Sequence, residues 1–506
     1  MLKWKKIWRV VVLLVLLVWF GLFFCHHINF TTADLGRHLK NGELVFQGDF
    51  QVLKANFYSY TEPNFPFINH HWGGGAFFFI IWSLFGFAGL SFFYLILSLV
   101  IFLLFFDIAR REAGFVISAI VSALVIPLMA SRTEIRPEIF SYFLSALFFW
   151  VLWRYRAGLL SRKKLFLLIP LELIWANTHI YFVFGLALIG LFLFEKILRE
   201  SLIWRKIKIL VFVFSASAAV SFLTPFGWRG VIEPFHIFKN YGYRIVENQS
   251  VWFLEGLNFS NPNIFLFKVV FWALVLSFIF LLIRRRKKFS VVYFCLAVIF
   301  GALGWLAIRN FSLFAFFALP IIAYNIKNGL GKKFKINSIN NKAAIVFLAL
   351  AIFFVNFVSY SERLPLAKGQ FGFGLPPGIN QSAEFFKEQN IQGPILNNYD
   401  IGSYLIYHFY PEEKVFVDNR PEAYSVPFFE NIYIPLQQDN NIFKKQDEVY
   451  NFNAIFFSYH DFTPWGQNFL IERINDLDWA PVFADGYAII FLKRNELNHP
   501  IIEKYE

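Results

Sequence analysis

Residues 10–24 read VVVLLVLLVWFGLFF, and residues 31–43, shortly after them, read TTADLGRHLKNGE. The first stretch contains no charged side chain and follows a basic start of three lysines and an arginine. Such a run predicts a membrane helix, and its bulky end lacks the small residues of a cleavage site. We interpret it as a retained anchor. The second stretch places acidic and basic side chains just beyond this anchor.

The composition of the whole chain indicates a polytopic membrane protein. Of 506 residues, 57% are hydrophobic and only 16% are charged, whereas a soluble protein of this length needs a richer charged shell. Apolar runs of about 15–22 residues, separated by short basic stretches, predict transmembrane helices. The predicted spans are 8–29, 88–106, 114–130, 138–153, 165–178, 180–195, 207–223, 264–283, 289–307, 310–326 and 343–360. Residues 72–86 predict a helix along the membrane interface, with a further span as the alternative.

The distribution of charge predicts the orientation of the chain. About 26 of the 47 lysines and arginines lie in the N-terminal segment and alternate loops, and about 10 in the opposite loops. The positive-inside rule therefore places the N-terminus in the cytoplasm and loop 30–72 outside. We expect a multi-pass protein of the inner or plasma membrane. The net charge of +13 indicates contact with anionic membrane lipids and not nucleic acid, for which no binding motif is present.

The C-terminal part of the sequence changes character. Strand-like runs, KVFVDNR (414–420) and the hairpin-like WAPVFADGYAIIFLK (479–493), alternate with helical stretches such as SAEFFKEQN (382–390). We therefore predict an α-helical polytopic membrane domain in residues 1–360, with about 11 transmembrane helices. Residues 361–506 are predicted to form a soluble extracytoplasmic α/β domain.

Arginines on the predicted outer face are candidates for binding an anion. Positive charge on the translocated side opposes the orientation bias, whereas a guanidinium group holds phosphate or carboxylate through paired hydrogen bonds. Snorkelling to lipid headgroups is the alternative. The candidate phosphate-binding residues are Arg37, Arg132, Arg136, Arg229 and Arg309.

Asp34 is the principal candidate for acid–base chemistry. It lies a few residues beyond the first predicted helix, at the depth of lipid headgroups, where a carboxylate can accept a proton from an incoming hydroxyl group. Arg37 and His38 are placed to neutralise a leaving phosphate. The alternative is that Asp34 only caps a short helix, since Asp is a favoured N-cap residue.

The histidines of the predicted outer face have no metal-binding spacing. His70 and His71 are adjacent, so on a helix they would point in different directions, and no HExxH or HxH-type pair is present. Polar lining of a site is therefore favoured over a bound transition metal.

Several stretches resemble the motifs of bacterial GT-C-type membrane glycosyltransferases. ADLGRHLKNGELVFQGDF (33–50), NFYSYTE (56–62) and INHHW (68–72) are similar to that family's first outer loop. The family typically shows Asp-x-x-Trp-His-Leu-x-x-Gly-Glu, then Asp-Pro-Phe-Ser-Tyr-Thr, then Asn-His-Glu-Trp. RPEIFSYF, WANTHIYFVFG, LTPFGWRG, IRNFSLFAFFALP, NNYDIGSYLIY and KVFVDNRPEAY follow in order. The resemblance is distant and extends to protein O-mannosyltransferases and aminoarabinose transferases.

The chain departs from the family pattern in three places. Arg37 stands where the family often has Trp, and Ala55-Asn56 replace an Asp-Pro pair. His71 replaces the Glu before Trp72. Where that Glu helps to hold substrate or metal in the family, its role is altered in this chain.

The resemblance implies inverting transfer of a sugar from a polyprenyl-phosphate-linked donor to an acceptor outside the membrane. The acceptor would be a glycan, a lipid or a protein, and no nucleotide site is needed. Asp34 would be the catalytic carboxylate, Asp49 is a second candidate, and the arginines would hold the donor phosphate. The residues implied to contact the substrate are His38, Glu43, His70, His71, Asn177 and His179. No protein-held metal is predicted, although a divalent cation is compatible with the family.

Two other classes of protein stay open at this point. A lipid-linked-sugar transporter or flippase would need charged residues in the middle of several spans, and Glu172 is the main residue of that kind. A non-catalytic binding or scaffold protein with the same fold is compatible with the departures at Arg37 and His71.

Overall fold

The computed structural model describes residues 2–200, 203–236, 239–331, 370–461 and 463–506. The helices of these residues are α1 (Leu2–Leu22), α2 (Leu35–Gln47), α3 (Trp72–Ala113), α4 (Phe115–Met129), α5 (Glu138–Arg156), α6 (Leu168–Thr178), α7 (Val183–Glu200), α8 (Trp204–Val220), α9 (Trp228–Ile232), α10 (Val251–Gly256), α11 (Pro262–Arg285), α12 (Val291–Leu306), α13 (Phe311–Leu330), α14 (Gln381–Glu388), α15 (Gly402–Phe409), α16 (Ile434–Gln438), α17 (Asn440–Tyr450), α18 (Gly466–Ile474) and α19 (His499–Tyr505). The strands are β1 (Ala55–Asn56), β2 (Phe65–Pro66), β3 (Ile395–Asn397), β4 (Ala454–Ser458), β5 (Trp479–Ala484) and β6 (Ala488–Lys493).

The predicted spans coincide with helices wherever the structure describes them. Helices α1, α3 to α8 and α11 to α13 each overlap one span, and the span 343–360 lies outside the described residues. By length and composition, four helical segments are able to cross a membrane: Trp72–Ala113, Ile180–Arg199, Pro262–Lys288 and Ile308–Leu330. Three shorter apolar helices accompany them. The protein is thus a helical polytopic membrane protein, while the predicted number of about 11 spans is not confirmed.

The long helices expose large apolar side chains. Leu84 on α3 is 66% exposed and Ile283 on α11 is 77% exposed, and Trp272 and Leu276 are exposed on α11 as well. A monomeric soluble protein rarely exposes apolar patches of this extent. These helix faces fit contact with the hydrocarbon of a bilayer, where the helical hydrogen bonds satisfy the backbone internally.

Helix α3 joins two elements that the sequence separates. The predicted interface helix 72–86 and the predicted span 88–106 form one element, which is interrupted at Gly86. Gly86 has φ 64° and ψ −166°, a conformation that glycine adopts without a steric penalty. The predicted boundary between the two elements is therefore the position of this break.

Helix α2 of the first outer loop (residues 30–72) packs closely against α3. A Cβ atom on Gly42 would lie 2.6 Å from the carbonyl oxygen of Gly75, and one on Gly75 would lie 2.8 Å from the carbonyl oxygen of His38. Only glycine permits this approach of two backbones. The crossing fixes the position of α2 against α3, with Asp34 immediately before the first residue of α2.

The C-terminal domain contains a four-stranded mixed sheet in the order β3-β4-β6-β5. Strands β3 and β4 are parallel, and β5 and β6 form the predicted hairpin. The prediction of a strand in KVFVDNR is wrong: Val415 forms only an isolated bridge with Ser59, and at the next two residues the side chain of Asn397 takes the place of a partner strand. Its Oδ1 accepts from the Phe416 N–H (2.8 Å) and its Nδ2 donates to the Val417 carbonyl (2.7 Å).

The first outer loop connects the C-terminal domain to the membrane helices. The Val415 N–H donates to the Tyr58 carbonyl (3.0 Å), and the Ser59 hydroxyl donates to the Phe416 carbonyl (3.0 Å). The backbone N–H of Arg37 donates to the hydroxyl of Ser403 on α15 (2.8 Å). One cluster of buried apolar side chains runs from the membrane helices into the sheet. The predicted domain boundary at 360/361 lies outside the described residues.

Candidate active site

A small polar cavity lies where the first outer loop, the start of α5 and the C-terminal domain meet. This central cavity has a volume of about 110 Å³. Its charged and imidazole-bearing wall residues are Asp34, Arg37, His38, His70, His71, Arg136, Glu138, Glu233, Glu247, Arg309 and Glu422. The structure therefore brings seven of the thirteen predicted site residues to the wall of this cavity: Asp34, Arg37, His38, His70, His71, Arg136 and Arg309.

A larger cavity of about 890 Å³ adjoins the central cavity. The two share the wall residues Asp34, Arg136, Ile245, Glu247, Arg309 and Asn419. The wall of the large cavity includes apolar side chains on and around α10 and at the start of α13, namely Phe253, Leu254, Leu257, Phe259 and Phe311. The large cavity therefore combines apolar surface with the charged residues that it shares with the central cavity.

Asp34 is available for chemistry. It occupies the N-cap position of α2, yet its side chain makes no capping hydrogen bond. Its backbone carbonyl accepts from the His38 N–H (3.1 Å). Within the described residues its carboxylate has no hydrogen bond or ion pair and faces both cavities. Asp34 thus occupies the N-cap position, but its side chain does not cap the helix.

Three of the predicted arginines form one ionic cluster with two glutamates. Arg132 and Arg309 contact the Glu138 carboxylate at 2.7 and 3.0 Å. Arg136 contacts Glu247 at 2.6 Å, and Arg132 pairs with the same carboxylate. Three guanidinium groups against two carboxylates leave one positive charge. The glutamates hold the guanidinium groups in place and reduce, but do not cancel, their charge.

Arg37 has no such partner. Its side chain is 5% exposed, forms no ion pair within the described residues, and leaves its Nε atom without a hydrogen bond. A buried guanidinium without a counter-ion is costly. An anion in the central cavity would supply one.

Three imidazole rings line the central cavity. The ring centroids of His70 and His71 lie 4.1 Å apart, and those of His38 and His71 lie 5.8 Å apart. His70 and His71 stand in the turn before α3, which begins at Trp72, so the divergence of neighbouring side chains on a helix does not apply to them. Burial lowers the pKa of His70 to about 4 and holds the pKa of His38 and His71 well below the usual range. All three rings are neutral near pH 7.

His179 extends this group of rings away from the cavity. Its ring centroid lies 4.9 Å from that of His71. Its Nδ1 accepts from the Tyr181 N–H (3.3 Å) and lies 2.8 Å from the hydroxyl oxygen of Ser141. The backbone contact makes Nδ1 the acceptor, so Nε2 carries the proton. That buried Nε2 has no partner within the described residues.

Asn177 has a structural role in this geometry. Its Oδ1 accepts from the indole of Trp72 (3.2 Å), and its Nδ2 donates to the Leu173 and Leu223 carbonyls (2.9 and 3.1 Å). It ties the first turn of α3 to the end of α6 and lines neither cavity.

Three other predicted site residues lie away from the central cavity. Asp49 follows the opposite end of α2 from Asp34, and a helix of 13 residues separates its ends by about 20 Å. Its carboxylate accepts from the Gln51 N–H (3.0 Å). Glu43 pairs with Lys40 at 2.8 Å within α2 and lines neither the central nor the large cavity. Arg229 lines a different cavity from the other arginines.

The C-terminal domain supplies wall residues beyond the thirteen predicted site residues. Asn419 and Glu422 line the central cavity, and Asp400 lines the large one. Burial, with the carboxylates of Asp461 and Asp34, raises the pKa of Asp400 to about 7. The signal for these residues was present in the stretches NNYDIGSYLIY and KVFVDNRPEAY, both of which carry the family resemblance.

Asp418 and Arg420, between these wall residues, form a buried ion pair. The Arg420 Nε and Nη2 donate to the two carboxylate oxygens of Asp418 at 2.7 and 2.6 Å, and Nη2 also donates to Asn56 Oδ1 (3.0 Å). Both side chains are fully buried. The pair fixes the loop that carries Asn419 and Glu422.

Metal binding is not evident from side-chain positions. Among the residues that the structure describes, no three His, Cys, Asp or Glu side chains are grouped to hold a metal ion. The compatibility with a divalent cation rests on the family resemblance alone.

No family model matches the chain, and no curated protein matches it. Among solved structures, the chain is similar to the oligosaccharyltransferase of Archaeoglobus fulgidus tethered with an acceptor peptide, with a TM-score of 0.60, 12% identity, and coverage of 90% of this chain and 70% of that one. It is also similar to AglB of the same organism in complex with an inhibitory peptide and a dolichol-phosphate (TM-score 0.55, 13% identity, 99% and 77% covered). ArnT from Cupriavidus metallidurans bound to undecaprenyl phosphate gives a TM-score of 0.49 at 15% identity, with 98% and 99% covered.

The two oligosaccharyltransferase likenesses define the fold. The oligosaccharyltransferase structures match nearly the whole chain, so this protein has a GT-C-type fold. The resemblance read from the sequence motifs is confirmed at this level.

Proposed function

We propose that this protein is a membrane glycosyltransferase that moves a sugar from a polyprenyl-phosphate-linked donor to an acceptor on the extracytoplasmic face. The observation that carries the proposal is the position of Asp34. Its unpaired carboxylate stands in the wall shared by a polar cavity and a large apolar-lined cavity, beside Arg136 and Arg309. A candidate general base, guanidinium groups that can bind phosphate and a cavity large enough for part of a lipid chain are therefore adjacent.

The donor fits the large cavity. The apolar wall around α10 suits prenyl units, while the phosphate would meet the arginine cluster and its one net positive charge. A. fulgidus AglB, which shares the fold, has been solved with a dolichol-phosphate, and this supports a lipid-phosphate donor here.

The reaction is a single displacement. The acceptor hydroxyl gives its proton to the Asp34 carboxylate as its oxygen bonds to the anomeric carbon. The bond from that carbon to the phosphate oxygen breaks, its electron pair goes to the phosphate, and polyprenyl phosphate leaves toward the arginines. Attack from the face opposite the leaving group inverts the anomeric configuration. Arg37 adds a second positive charge where negative charge develops.

The neutral imidazoles suit the transferred sugar. His38 and His71 each offer one donor and one acceptor nitrogen when neutral, whereas the Nδ1 of His70 donates to the Ile68 carbonyl (3.1 Å) and leaves Nε2 as an acceptor. Sugar hydroxyl groups need both. Because burial keeps these rings uncharged, they add no repulsion to the arginines.

The transporter alternative finds less support. Glu172 is fully buried, its carboxylate accepts from the Ser221 hydroxyl (3.3 Å), and it packs against Gly185 of α7. It lines none of the cavities described here. A carboxylate enclosed between three helices fits internal packing better than a transport path.

Sugar transfer by membranes that contain the full-length protein tests the proposal. A panel of radiolabelled polyprenyl-phosphate sugars is offered with a cell-envelope extract as acceptor. Asp34→Asn should lower transfer about 10²–10⁴-fold, the usual contribution of a general base. Asp49→Asn, at the other end of α2, is the matched control and should retain activity. Equal activity of the wild type and Asp34→Asn would contradict the proposal.

A further inference from the structure

A third cavity meets the central cavity from another direction. This third cavity has a volume of about 790 Å³ and shares only Glu233, Tyr241 and Glu422 with the central cavity. It has no wall residue in common with the large apolar-lined cavity. Its walls come from residues 65–68 of the first outer loop, residues 225–229 before and within α9, and residues 424–427 of the C-terminal domain.

The third cavity is basic away from its junction with the central cavity. Lys54, Arg229 and Lys239 line it, and all three are exposed and form no ion pair within the described residues. The two carboxylates of its wall, Glu233 and Glu422, are the ones at the junction. A ligand here therefore meets positive charge first and carboxylates only at its inner end.

Aromatic surfaces accompany these cations. The indole of Trp228 is 61% exposed, and Phe226 and Tyr241 lie in the same wall. The Arg229 guanidinium lies 5.8 Å from the centroid of the Trp228 ring. Flat aromatic faces beside polar and charged groups suit a ring that has both C–H and hydroxyl surfaces.

We propose that the third cavity binds the acceptor and that the acceptor is an anionic saccharide, a glycan that carries carboxylate or phosphate groups. The inference rests on the proposed transferase function and adds the chemical class of its second substrate. Lys54, Arg229 and Lys239 hold the negative groups, and Trp228 supports a sugar ring. The hydroxyl to be glycosylated passes between Tyr241 and Glu422 to Asp34. Donor and acceptor then reach the same carboxylate from separate cavities and do not compete.

Binding of a labelled oligosaccharide tests the charge preference directly. The full-length protein in phosphatidylcholine nanodiscs is titrated against fluorescein-labelled tetragalacturonate and against its neutral counterpart, labelled galactotetraose, with fluorescence polarisation as the readout. The wild type should bind the anionic probe at least about tenfold more tightly. Arg229→Gln combined with Lys239→Gln should weaken that binding about tenfold, as expected for lost charge-assisted hydrogen bonds, and leave the neutral probe unchanged.

Two control variants accompany this double variant. Lys444→Gln with Lys445→Gln removes two exposed cations of α17 that line none of the three cavities, and this variant should bind like the wild type. Asp34→Asn should retain probe binding, so a failure of transfer and a failure of acceptor binding are distinguishable.

Three results would overturn the proposal. The first is that the wild type binds both probes equally well or binds neither. The second is that the double variant binds the anionic probe as tightly as the wild type. The third is that the probe is displaced when phosphatidylglycerol is added to the nanodiscs. The last result would assign these cations to lipid headgroups.

Discussion

Asn56 shows how one residue carries a departure from the family pattern. It stands where the family has the Pro of an Asp-Pro pair, and its side chain is fully buried. Its Nδ2 donates to the Ala423 carbonyl (3.0 Å), and its Oδ1 accepts from Arg420 (3.0 Å). A proline could do neither. The substitution thus binds the first outer loop to the loop that carries Asn419 and Glu422, which no local sequence pattern could reveal.

Replacement of Arg420 tests this connection. Arg420→Met should lower the free energy of unfolding by about 3–5 kcal/mol, because the buried Asp418 carboxylate then lacks its counter-ion. Arg494→Met is the matched control, since Arg494 pairs with Glu506 at the surface and should cost less than about 1 kcal/mol. Denaturant unfolding of the purified protein measures both. Similar losses for the two variants would contradict the role given to Arg420.

Asp400 predicts a pH dependence of stability. Its pKa is about 7 in the folded protein and about 3.9 in an unfolded chain. The folded state therefore binds more protons between these values, and stability falls as the pH rises through this window. Asp400→Asn removes that loss. The variant should exceed the wild type by about 1–3 kcal/mol at pH 8 and equal it near pH 4.

Thermal unfolding of the detergent-solubilised protein at the two pH values measures this difference. Asp478→Asn, at an exposed position of the same domain, should show no comparable effect. A stabilisation by Asp400→Asn that is the same at both pH values would contradict a raised pKa.

At the scale of elements, the sequence predicted the helices well and their contacts poorly. The length of the apolar runs predicted the positions of α3 to α8 and α11 to α13, because hydrophobicity is a local property of the chain. The glycines at the α2–α3 crossing carry no such local signal, since glycine is required there by the close approach of the backbone of another helix. The strand expected in KVFVDNR failed for a related reason, because the distant Asn397 satisfies its backbone.

Gly75→Ala tests the α2–α3 crossing. The new methyl group would meet the His38 carbonyl oxygen at 2.8 Å, so the helices must separate, at a cost of about 1–3 kcal/mol in stability. The same shift moves His38 and Asp34 and should lower transfer activity. Gly256→Ala is the control, because a Cβ atom there meets nothing within 4 Å. A Gly75→Ala variant that equals Gly256→Ala in stability and activity would contradict the close crossing.

At the scale of the whole molecule, the site exists only when both predicted domains are present. The sequence identified Asp34, Arg37, Arg136, Arg309 and three histidines of the central wall, but Asn419 and Glu422 of the C-terminal domain required the fold. The sequence predicts two domains divided at 360/361. The described parts of these two domains share one cluster of buried apolar side chains and are joined by the hydrogen bonds of the first outer loop.

Because of this shared core, we expect the membrane helices and the C-terminal domain to unfold together. Differential scanning calorimetry of the purified full-length protein should show one cooperative transition. The loss of tryptophan fluorescence and the appearance of protease cleavage in residues 370–506 should follow it at the same temperature. Two transitions separated by more than about 10 °C would show that the domains are energetically independent.

The central claim is that Asp34 acts on the reaction and not on donor binding. Donor affinity and the single-turnover transfer rate are therefore measured together for the wild type and Asp34→Asn, with a polyprenyl-phosphate sugar that the wild type uses. We expect the variant to have a dissociation constant within about threefold of the wild type and a rate lowered about 10²–10⁴-fold. A transfer rate that stays near the wild-type value, or a loss caused entirely by weaker donor binding, would contradict this claim.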